Sequence, residues 1–509
     1  MGTTNFGRIA LLIGSFAPYL TSSWVVSPPK SWITAIKRHQ TSSASPRTFS
    51  LSEISIERFI GEATYTVVDT FEKRLPGQVE SASSLGVGPQ LVSKGRSSTR
   101  IFQASRQDAS IRSRGGDPRC FLFEVAGPGR RGGKDTQRTV DASVTAAASL
   151  DAEWERRQSS LSGGGGLFSS LLSSFSGPPP DRPYTVLLGE YDVPPESQQQ
   201  IDGGDWTDQL GTTPPRANAR WLVYEFDGTS TVASFSVPTA TRVNAARNAR
   251  ERLGRGAGLG LPPLPEAVPW EAAAKFAVAG VMKKSLEALA LLHESGLAHR
   301  SVCGEALVLS AQSQDKGTAL QRCDSDLLVV KLGILGFSSP LSESSPGSLA
   351  SAARWLPATD ASPSTSSSPP SFSTIALASL SVAEDLHALG LTFLALLLGT
   401  LAEAENGSGS SGDAAAAVPG LQPRDLERLL DGAFAADDDA VVGFGSGGFA
   451  DYIASDPQRT RAVKLLEANG RCGWNFLGEL LSARQFLKSR PKFTVPSTRA
   501  LVDHPFLKM

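Results

Sequence analysis

The hydrophobic pattern of the chain changes from strand-like to helix-like about halfway along its length. Runs rich in β-branched and aromatic residues lie at 59–68, 119–125, 183–193 and 220–226, and this composition is typical of half-buried strands. A short helix is predicted among them at 150–158. Strands that precede helices in this way predict an α+β protein with two unequal lobes.

The second half of the chain contains the longer apolar patterns. In residues 270–296 the large apolar side chains recur at spacings of four, four and three, which places them on one helix face. Within a predicted helix at 384–402, residues 388–401 are apolar almost all round. This run is shorter than the roughly 20 residues of a membrane span, so we expect a helix buried in the core. Residues 473–490 form a third, amphipathic pattern.

Stretches rich in Ser, Gly and Pro interrupt both halves of the chain. They lie at 161–180, 338–351 and 360–373. Gly and Pro break regular elements, and segments this poor in large apolar residues cannot bury a core. We therefore predict disordered inserts at these positions.

Composition excludes several classes of protein. With 509 residues, 40% of them hydrophobic, the chain is long enough to bury a large core. Its net charge of -1 produces no global field that would favour nucleic acid or an anionic membrane. The four cysteines are too far apart for a disulfide scaffold or a zinc site, which fits a reducing compartment: Cys120, Cys303, Cys323 and Cys472.

The N-terminal segment has the composition of a targeting sequence. Residues 1–52 contain no Asp or Glu, but they carry basic residues among many Ser and Thr. Residues 14–18, Gly-Ser-Phe-Ala-Pro, resemble the phenylalanine-containing cleavage motif of bipartite plastid presequences. We predict a presequence at 1–50 and location in the plastid (chloroplast). An ordinary secretory signal or a frayed N-terminus is the alternative.

The landmarks of the helical half resemble those of protein kinases in order and spacing. Residues 291–310 resemble the end of a long helix followed by the catalytic loop, and residues 329–339 resemble the strands that carry the D-F-G triplet. Asp385 matches a buried Asp of that family, and residues 500–507 match its closing helix. The resemblance implies a protein kinase-like domain at 51–509. Its small β-rich N-lobe would extend over about 51–230 and its larger helical C-lobe over about 231–509.

The resemblance also implies that the catalytic groups are missing. Ser301 replaces the catalytic Asp, Cys303 a phosphate-contacting Lys, and Ala306 the Asn that holds magnesium. Ile334 replaces the Asp of D-F-G. A hard cation prefers oxygen ligands, and Ala306 and Ile334 offer none, so no metal ligand is expected at these positions.

The nucleotide-contacting part of the N-lobe is depleted in the same way. Residues 61–68 align with the glycine-rich loop, where Gly61 is the one family glycine that remains and Val68 is the other candidate nucleotide contact. The lysine of the third strand falls near Phe123-Glu124, and its helix partner would be Glu153 or Glu155. We expect poor binding of ATP and magnesium, and no other cofactor.

The residues that support the architecture of such a domain are present. His299 and Arg300 keep the first two positions of the catalytic loop, Gly336 keeps the glycine of D-F-G, and Asp385 would accept hydrogen bonds from the loop backbone. We interpret His299 as a satisfied core histidine. Arg300 has two interpretations, a receptor for a phosphorylated activation segment or an Arg that is solvated or bonded to backbone, and we favour the second.

A narrower resemblance is to the thylakoid state-transition Ser/Thr kinases. Residues 219–232 resemble their last N-lobe strand and hinge, and residues 465–481 resemble a late helix that contains Gly-Trp. Members of that group phosphorylate light-harvesting and photosystem proteins. The paired N-terminal cysteines associated with them are missing here, since none precedes Cys120, and no membrane anchor is evident.

Together these patterns predict a catalytically inactive pseudokinase that acts as a regulatory or scaffold partner in the plastid. Its partners would be proteins, a plastid kinase or a photosynthetic complex, and not nucleic acid or a membrane. One alternative is an active Ser/Thr kinase that binds ATP with displaced ligands such as Asp324, Asp326 or Glu305. The other is an all-helical structural interaction protein with no kinase ancestry.

Overall fold

The structure of the chain is a computed structural model that describes the greater part of the sequence. The described residues are 47–50, 53–70, 91–107, 118–125, 133–162, 181–192, 220–228, 230–235, 243, 247, 268–311, 320, 323–333, 335, 338–341, 372–402, 422–432, 448–483 and 497–509. The predicted plastid motif at 14–18 and most of each predicted insert lie outside them.

A six-stranded mixed sheet forms the N-terminal part of the described chain. Its strands lie in the order β1-β5-β6-β4-β3-β2, and all neighbours are antiparallel except β1 and β5. The strands are β1 (Thr48–Phe49), β2 (Ile54–Thr70), β3 (Leu91–Arg106), β4 (Arg119–Val125), β5 (Leu187–Asp192) and β6 (Arg220–Glu225). The α+β class predicted from the sequence is confirmed, and the all-helical alternative is wrong.

Smaller sheets lie in the second half of the chain. A three-stranded sheet has the order β10-β9-β7, and a two-stranded sheet pairs β11 with β8. These strands are β7 (Ser230–Thr231), β8 (Leu297–Ala298), β9 (Leu307–Ala311), β10 (Leu328–Leu332) and β11 (Ser339–Pro340). All five residues of β10 are buried, which explains why four of them are apolar.

Helices dominate the rest of the second half. The α-helices are α1 (Gly133–Ser162), α2 (Trp270–Lys275), α3 (Lys283–Glu294), α4 (Phe372–Thr400), α5 (Pro423–Gly432), α6 (Phe449–Ala454), α7 (Thr460–Leu481) and α8 (Thr498–Val502). A π-helical segment, Phe276–Met282, joins α2 to α3, and short 3-10 helices lie at Gly304–Ala306, Pro457–Arg459 and Pro505–Lys508.

Three predicted helices differ from the observed ones in their bounds. Helix α1 is 30 residues long, so the short helix predicted at 150–158 is only a part of it. Helix α4 begins at Phe372, twelve residues before the predicted start at 384. Helix α7 begins at Thr460, and its backbone leaves helical geometry at residues 468–471, where Asn469, Gly470 and Arg471 have positive φ. The predicted segment 484–490 lies outside the described residues.

Helix α4 forms the centre of the helical part. In the described part of the chain, Ser381–Thr400 is the one stretch long and apolar enough to cross a membrane, and 78% of it is buried inside the protein. Its leucines and Phe393 belong to the main hydrophobic cluster, together with side chains from α3 and α7. Burial on all sides explains why this sequence is apolar all round.

The first described strand, β1, is docked on the N-terminal sheet. Phe49 in β1 is 4% exposed and packs with Trp221 and Tyr191 on one face of the sheet. The amide of Glu190 donates to the Arg47 carbonyl over 2.8 Å. A Cβ on Gly189 would lie 2.2 Å from that oxygen, so only glycine permits the approach. The fold therefore begins before residue 50, where the presequence was predicted to end.

Because Phe49 is buried in a strand of only two residues, its truncation tests whether β1 belongs to the fold. We expect Phe49→Ala to lower the free energy of unfolding by about 3 kcal/mol, the low end for a buried Phe. Urea denaturation of the full chain measures this change. Leu327→Ala is the control. Leu327 is 40% exposed, so this substitution should change the free energy of unfolding by no more than about 0.5 kcal/mol. Equal effects of the two substitutions would show that β1 is not docked.

Candidate functional site

The loop at residues 299–301 is held by one buried carboxylate. The amide of His299 donates to Asp385 Oδ2 over 2.7 Å, and the amide of Arg300 donates to Asp385 Oδ1 over 2.8 Å. Arg300 has φ 65°, a left-handed conformation that is strained for a residue with a side chain. The hydrogen bond from its amide helps to stabilise that conformation, so Asp385 determines the path of the loop.

A histidine supplies a third hydrogen bond to the same carboxylate. His293 Nε2 lies 3.0 Å from Asp385 Oδ2, and both side chains are almost completely buried. Burial alone would raise the pKa of Asp385. The hydrogen bond and charge of His293, with the backbone amide of His299, outweigh that effect and hold its pKa below the ordinary value. Asp385 is therefore ionised, which gives it the strongest hydrogen bonds to the loop.

The two nitrogens of His299 have different partners. Nε2 lies 2.8 Å from the Gly333 carbonyl and must donate to it, whereas Nδ1 accepts the amide of Ser301 over 3.2 Å. These partners require the neutral imidazole with its proton on Nε2. Burial lowers the pKa of His299, which favours the same neutral form. His299 thus joins the loop to the residue after β10.

The side chain of Arg300 has a partner within the protein. Its Nη2 donates to Ser381 Oγ over 3.0 Å, on the face of α4 that also carries Asp385 one turn later. From the sequence we favour an Arg300 side chain that is solvated or bonded to backbone. The guanidinium instead bonds to the side chain of Ser381. The interaction ties the loop to α4 a second time.

The three positions that matter for catalysis in the kinase resemblance, Ser301, Cys303 and Ala306, provide no carboxylate, lysine or amide side chain. Ser301 and Ala306 are buried. Burial raises the pKa of the Cys303 thiol to about 12, so it is protonated at neutral pH and is a poor nucleophile. Gly304 lies against Ala233. A Cβ on residue 304 would come within 2.9 Å of the Ala233 backbone nitrogen, so a larger residue would force the two segments apart.

An aromatic cluster from the sheet packs against this loop. We call it the cleft cluster, and its members are Phe121, Phe123, Leu222, Tyr224, Phe226 and Ala306, with Cys303 packed at its edge. The ring centroids of Phe121 and Phe226 are 4.8 Å apart, and those of Phe123 and Tyr224 are 5.0 Å apart. Aromatic side chains of the sheet are therefore packed in one cluster with Ala306 and Cys303 of the loop.

The lysine position of the kinase resemblance falls near Phe123 or Glu124, and these two side chains lie on opposite faces of β4. Side chains alternate along β4, so Phe123 enters the cleft cluster while Glu124 lies on the opposite face of the sheet. Glu124 forms an ion pair there with Arg100 of β3. Glu153 of α1 pairs with Arg156 and Arg157 of its own helix, and Glu155 is exposed. An ion pair between β4 and α1 is therefore not formed by the expected residues.

The predicted glycine-rich loop is wrong as a description of the backbone. Gly61 and Val68 both lie within β2, where Gly61 pairs with Ile101 and Val68 with Ser93. A phosphate loop needs a turn, and the β-branched and aromatic residues at 64–68 instead favour an extended strand. The structure does place a register shift beside each of the two residues, so the strand is irregular at both.

Two of the three displaced metal ligands of the active-kinase alternative lie far from the loop, and the third, Glu305, lies beside Ala306 within it. Asp324 and Asp326 precede β10, whereas Gly333, the partner of His299, follows it, so the five-residue strand separates them by roughly 15 Å. Asp324 Oδ1 accepts the amide of Asp326 within its own turn. Among the described residues, no group of three or more His, Cys, Asp or Glu could hold a metal ion. Ile334 and Gly336 lie outside the described residues.

One buried ion pair was not anticipated from the sequence. Lys331 Nζ lies 2.5 Å from Asp227 Oδ1, and it joins β10 to the segment that follows β6. Lys331 and Asp227 are 8% and 2% exposed. Lys331 is the one charged residue in an otherwise apolar strand. A buried lysine requires a partner, so the sequence could have predicted an ion pair at Lys331.

Comparison with known proteins gives no family. No protein-family model matches the chain, and no curated protein matches it. The functional assignment therefore depends on the loop at 299–301 and on the cleft cluster that faces it.

The neutral state of His299 makes stability depend on pH. Its pKa in the folded protein is below 6.5, the ordinary value that the unfolded chain regains. The unfolded state therefore binds more protons below about pH 6.5, and the stability present above that pH is lost as the pH falls, by at most about 1.4 kcal/mol per pH unit. Urea denaturation at pH 7.5 and 5.5 measures the slope.

Two variants separate His299 from other groups. His299→Gln should be less stable at pH 7.5 but should lose less stability between pH 7.5 and 5.5 than the natural chain. Burial also lowers the pKa of His504, so His504→Gln is the matched control and should remove only the part due to that residue. An unchanged slope in His299→Gln would contradict the neutral, buried state of His299.

Proposed function

We propose that the chain is a pseudokinase, a protein kinase-like domain that has lost phosphoryl transfer and acts through protein contacts. Strands β2, β3 and β4 are consecutive antiparallel neighbours, and helix α1 follows the third of them. In protein kinases the lysine stands on the third strand and its glutamate partner on the following helix. The six-stranded sheet would be the N-lobe, and the helices from α2 onward the C-lobe.

One observation supports the proposal most strongly. The Asp385 carboxylate accepts hydrogen bonds from the backbone amides of His299 and Arg300, the two residues that precede Ser301. The sequence resemblance gives these residues the positions of a kinase catalytic loop, and the contacts are those that such a loop needs for its support. Ser301 then occupies the place of the catalytic base, and its hydroxyl cannot accept a proton as a carboxylate does.

The cleft cluster supports the loss of nucleotide binding. Phe123 points to the side of β4 from which a kinase lysine would reach the phosphates, and Phe121 stacks on Phe226 immediately after β6. Ala306 packs on the same rings where a magnesium-binding Asn would stand. A purine and its phosphates would have to displace buried aromatic side chains, at a cost of several kcal/mol.

The remaining role for such a domain is regulatory or structural. A rigid fold without phosphoryl transfer contributes a binding surface, and we propose a protein partner, such as a plastid kinase or a photosynthetic complex. The active-kinase alternative would retain Glu305 alone beside the loop, since Asp324 and Asp326 lie at the far end of β10.

A thermal-shift titration of the purified chain with ATP, with and without magnesium, tests the proposal. A ligand that binds the folded state at 100 times its dissociation constant stabilises it by about 2.7 kcal/mol, which raises the Tm. We expect no rise up to millimolar ATP. Phe121→Ala is the matched variant, because removal of one ring from the cleft cluster vacates space for a purine without creating a metal site.

Two results would overturn the proposal. One is a magnesium-dependent rise in the Tm of the natural chain, and the other is transfer of phosphate to a generic protein substrate. A rise seen only in Phe121→Ala would support the proposal, because it would show that the aromatic ring fills a nucleotide site.

We also propose that residues preceding Arg47 direct the protein to the plastid. The composition and the Gly-Ser-Phe-Ala-Pro segment at 14–18 are the basis of this proposal. A fluorescent protein fused after residue 46 should accumulate in the plastid of an alga with a secondary plastid. Phe16→Ala should divert it, and Phe6→Ala, ten residues earlier, is the control. Secretion of the unaltered fusion would contradict plastid targeting and would favour an ordinary signal sequence.

A further inference from the structure

Consecutive residues at the end of α3 contact consecutive residues at the start of α8. His293 Nδ1 lies 2.5 Å from Thr498 Oγ1. Arg499 donates to both carboxylate oxygens of Glu294, from Nε over 3.0 Å and from Nη2 over 3.3 Å. The last turn of α3 thus holds the C-terminal segment, which we define as residues 497–509.

His293 and Glu294 each have a second partner, and the two second partners lie in different parts of the protein. His293 contacts Asp385, which in turn holds the loop at 299–301. Glu294 forms an ion pair with Arg157 of α1. The C-terminal segment therefore reaches the loop through His293 and reaches α1 through Glu294.

The first of these branches runs through both nitrogens of one ring. His293 Nε2 bonds to Asp385 Oδ2, and His293 Nδ1 bonds to the Thr498 hydroxyl. Thr498 and His293 are 2% and 1% exposed, so water does not replace this partner, and loss of the hydroxyl would leave Nδ1 unsatisfied.

The second branch is electrostatic. Glu294 lies between two arginines, Arg157 from α1 and Arg499 from α8. Its single negative charge attracts both guanidinium groups and offsets part of their mutual repulsion. The pairs are partly exposed, so each contributes less than a buried hydrogen bond, but together they fix where α1 lies against α3.

The C-terminal segment itself is firmly docked. Ser497 Oγ caps α8 by accepting the amide of Ala500 over 3.2 Å. Phe506 and Leu507 are buried in the main hydrophobic cluster, where Phe506 packs on Phe476 of α7. Apolar burial thus holds the segment in place while its polar residues at 498 and 499 make the two branch contacts.

We propose that Thr498 and Arg499 are positioning residues through which the C-terminal segment controls the loop at 299–301 and helix α1 along two separate branches. A partner or a modification that displaces this segment would release both elements together. In a domain that acts through its shape, such a release changes the surface offered to a partner. The proposal concerns contacts within the fold and does not depend on the assignment as a pseudokinase.

Native reporters for both branches exist in the chain. The Cys303 thiol lies in the loop that follows Ser301 and is half-buried at the edge of the cleft cluster, so a rise in its alkylation rate measures further opening of that loop. The peptide bond after Arg156 lies within α1, so its cleavage by trypsin measures opening of that helix. Cys120 is buried in the sheet, so its alkylation measures global unfolding.

The experiment compares Thr498→Val, Arg499→Ala and the surface control Lys508→Ala in the full chain, with modified and cleaved peptides identified by mass spectrometry. Lys508 pairs only with the exposed Asp503 at 3.5 Å. We expect Thr498→Val to raise the Cys303 alkylation rate roughly fivefold, the equivalent of one hydrogen bond, without faster cleavage after Arg156. Arg499→Ala should raise cleavage after Arg156 about twofold without a change at Cys303.

Thr498→Ser retains the hydroxyl and should behave as the natural chain, which separates the hydrogen bond from loss of packing. All rates are divided by that of Cys120, so a variant that is only less stable gives ratios near one. The proposal is overturned if both variants change both reporters together, or if neither variant changes its own reporter.

Discussion

The carboxylate of Asp385 is buried near the middle of helix α4, and much of the second half of the fold is arranged around it. Burial of a charge without partners would cost more free energy than the net free energy of unfolding of a typical protein. Asp385 avoids that cost by accepting hydrogen bonds from two backbone amides and from His293. The path of the loop, the left-handed backbone at Arg300 and the orientation of His293 all follow from this requirement.

The sheet is joined to that loop by apolar contacts instead of ionic ones. Phe121 and Phe123 meet Ala306 and Cys303 across what would otherwise be a cleft, and the charged groups of the neighbourhood pair elsewhere. Apolar packing is dense and gives no preference for a charged ligand. The loop is thus held by Asp385 and is packed with aromatic side chains of the sheet at Ala306 and Cys303.

Sequence patterns predicted the elements whose burial is regular. Strand β4 alternates between two buried faces and helix α4 is buried all round, so both were recognisable from residues 119–125 and 388–401. Strand β1 has only two residues, and its position depends on a close approach at Gly189 that no periodicity records. The Lys331–Asp227 pair joins residues far apart in sequence, so the sequence shows that Lys331 needs a partner but not which one.

Region-resolved hydrogen exchange of the natural chain, with and without saturating ATP and magnesium, tests the central claim most directly. The amides of His299 and Arg300 should exchange slowly without nucleotide, because both are bonded to a buried carboxylate. Exchange in β4 and in residues 224–228 should be the same when nucleotide is added. Fast exchange of the two amides, or protection of those segments by ATP, would contradict a supported loop that faces a filled cleft.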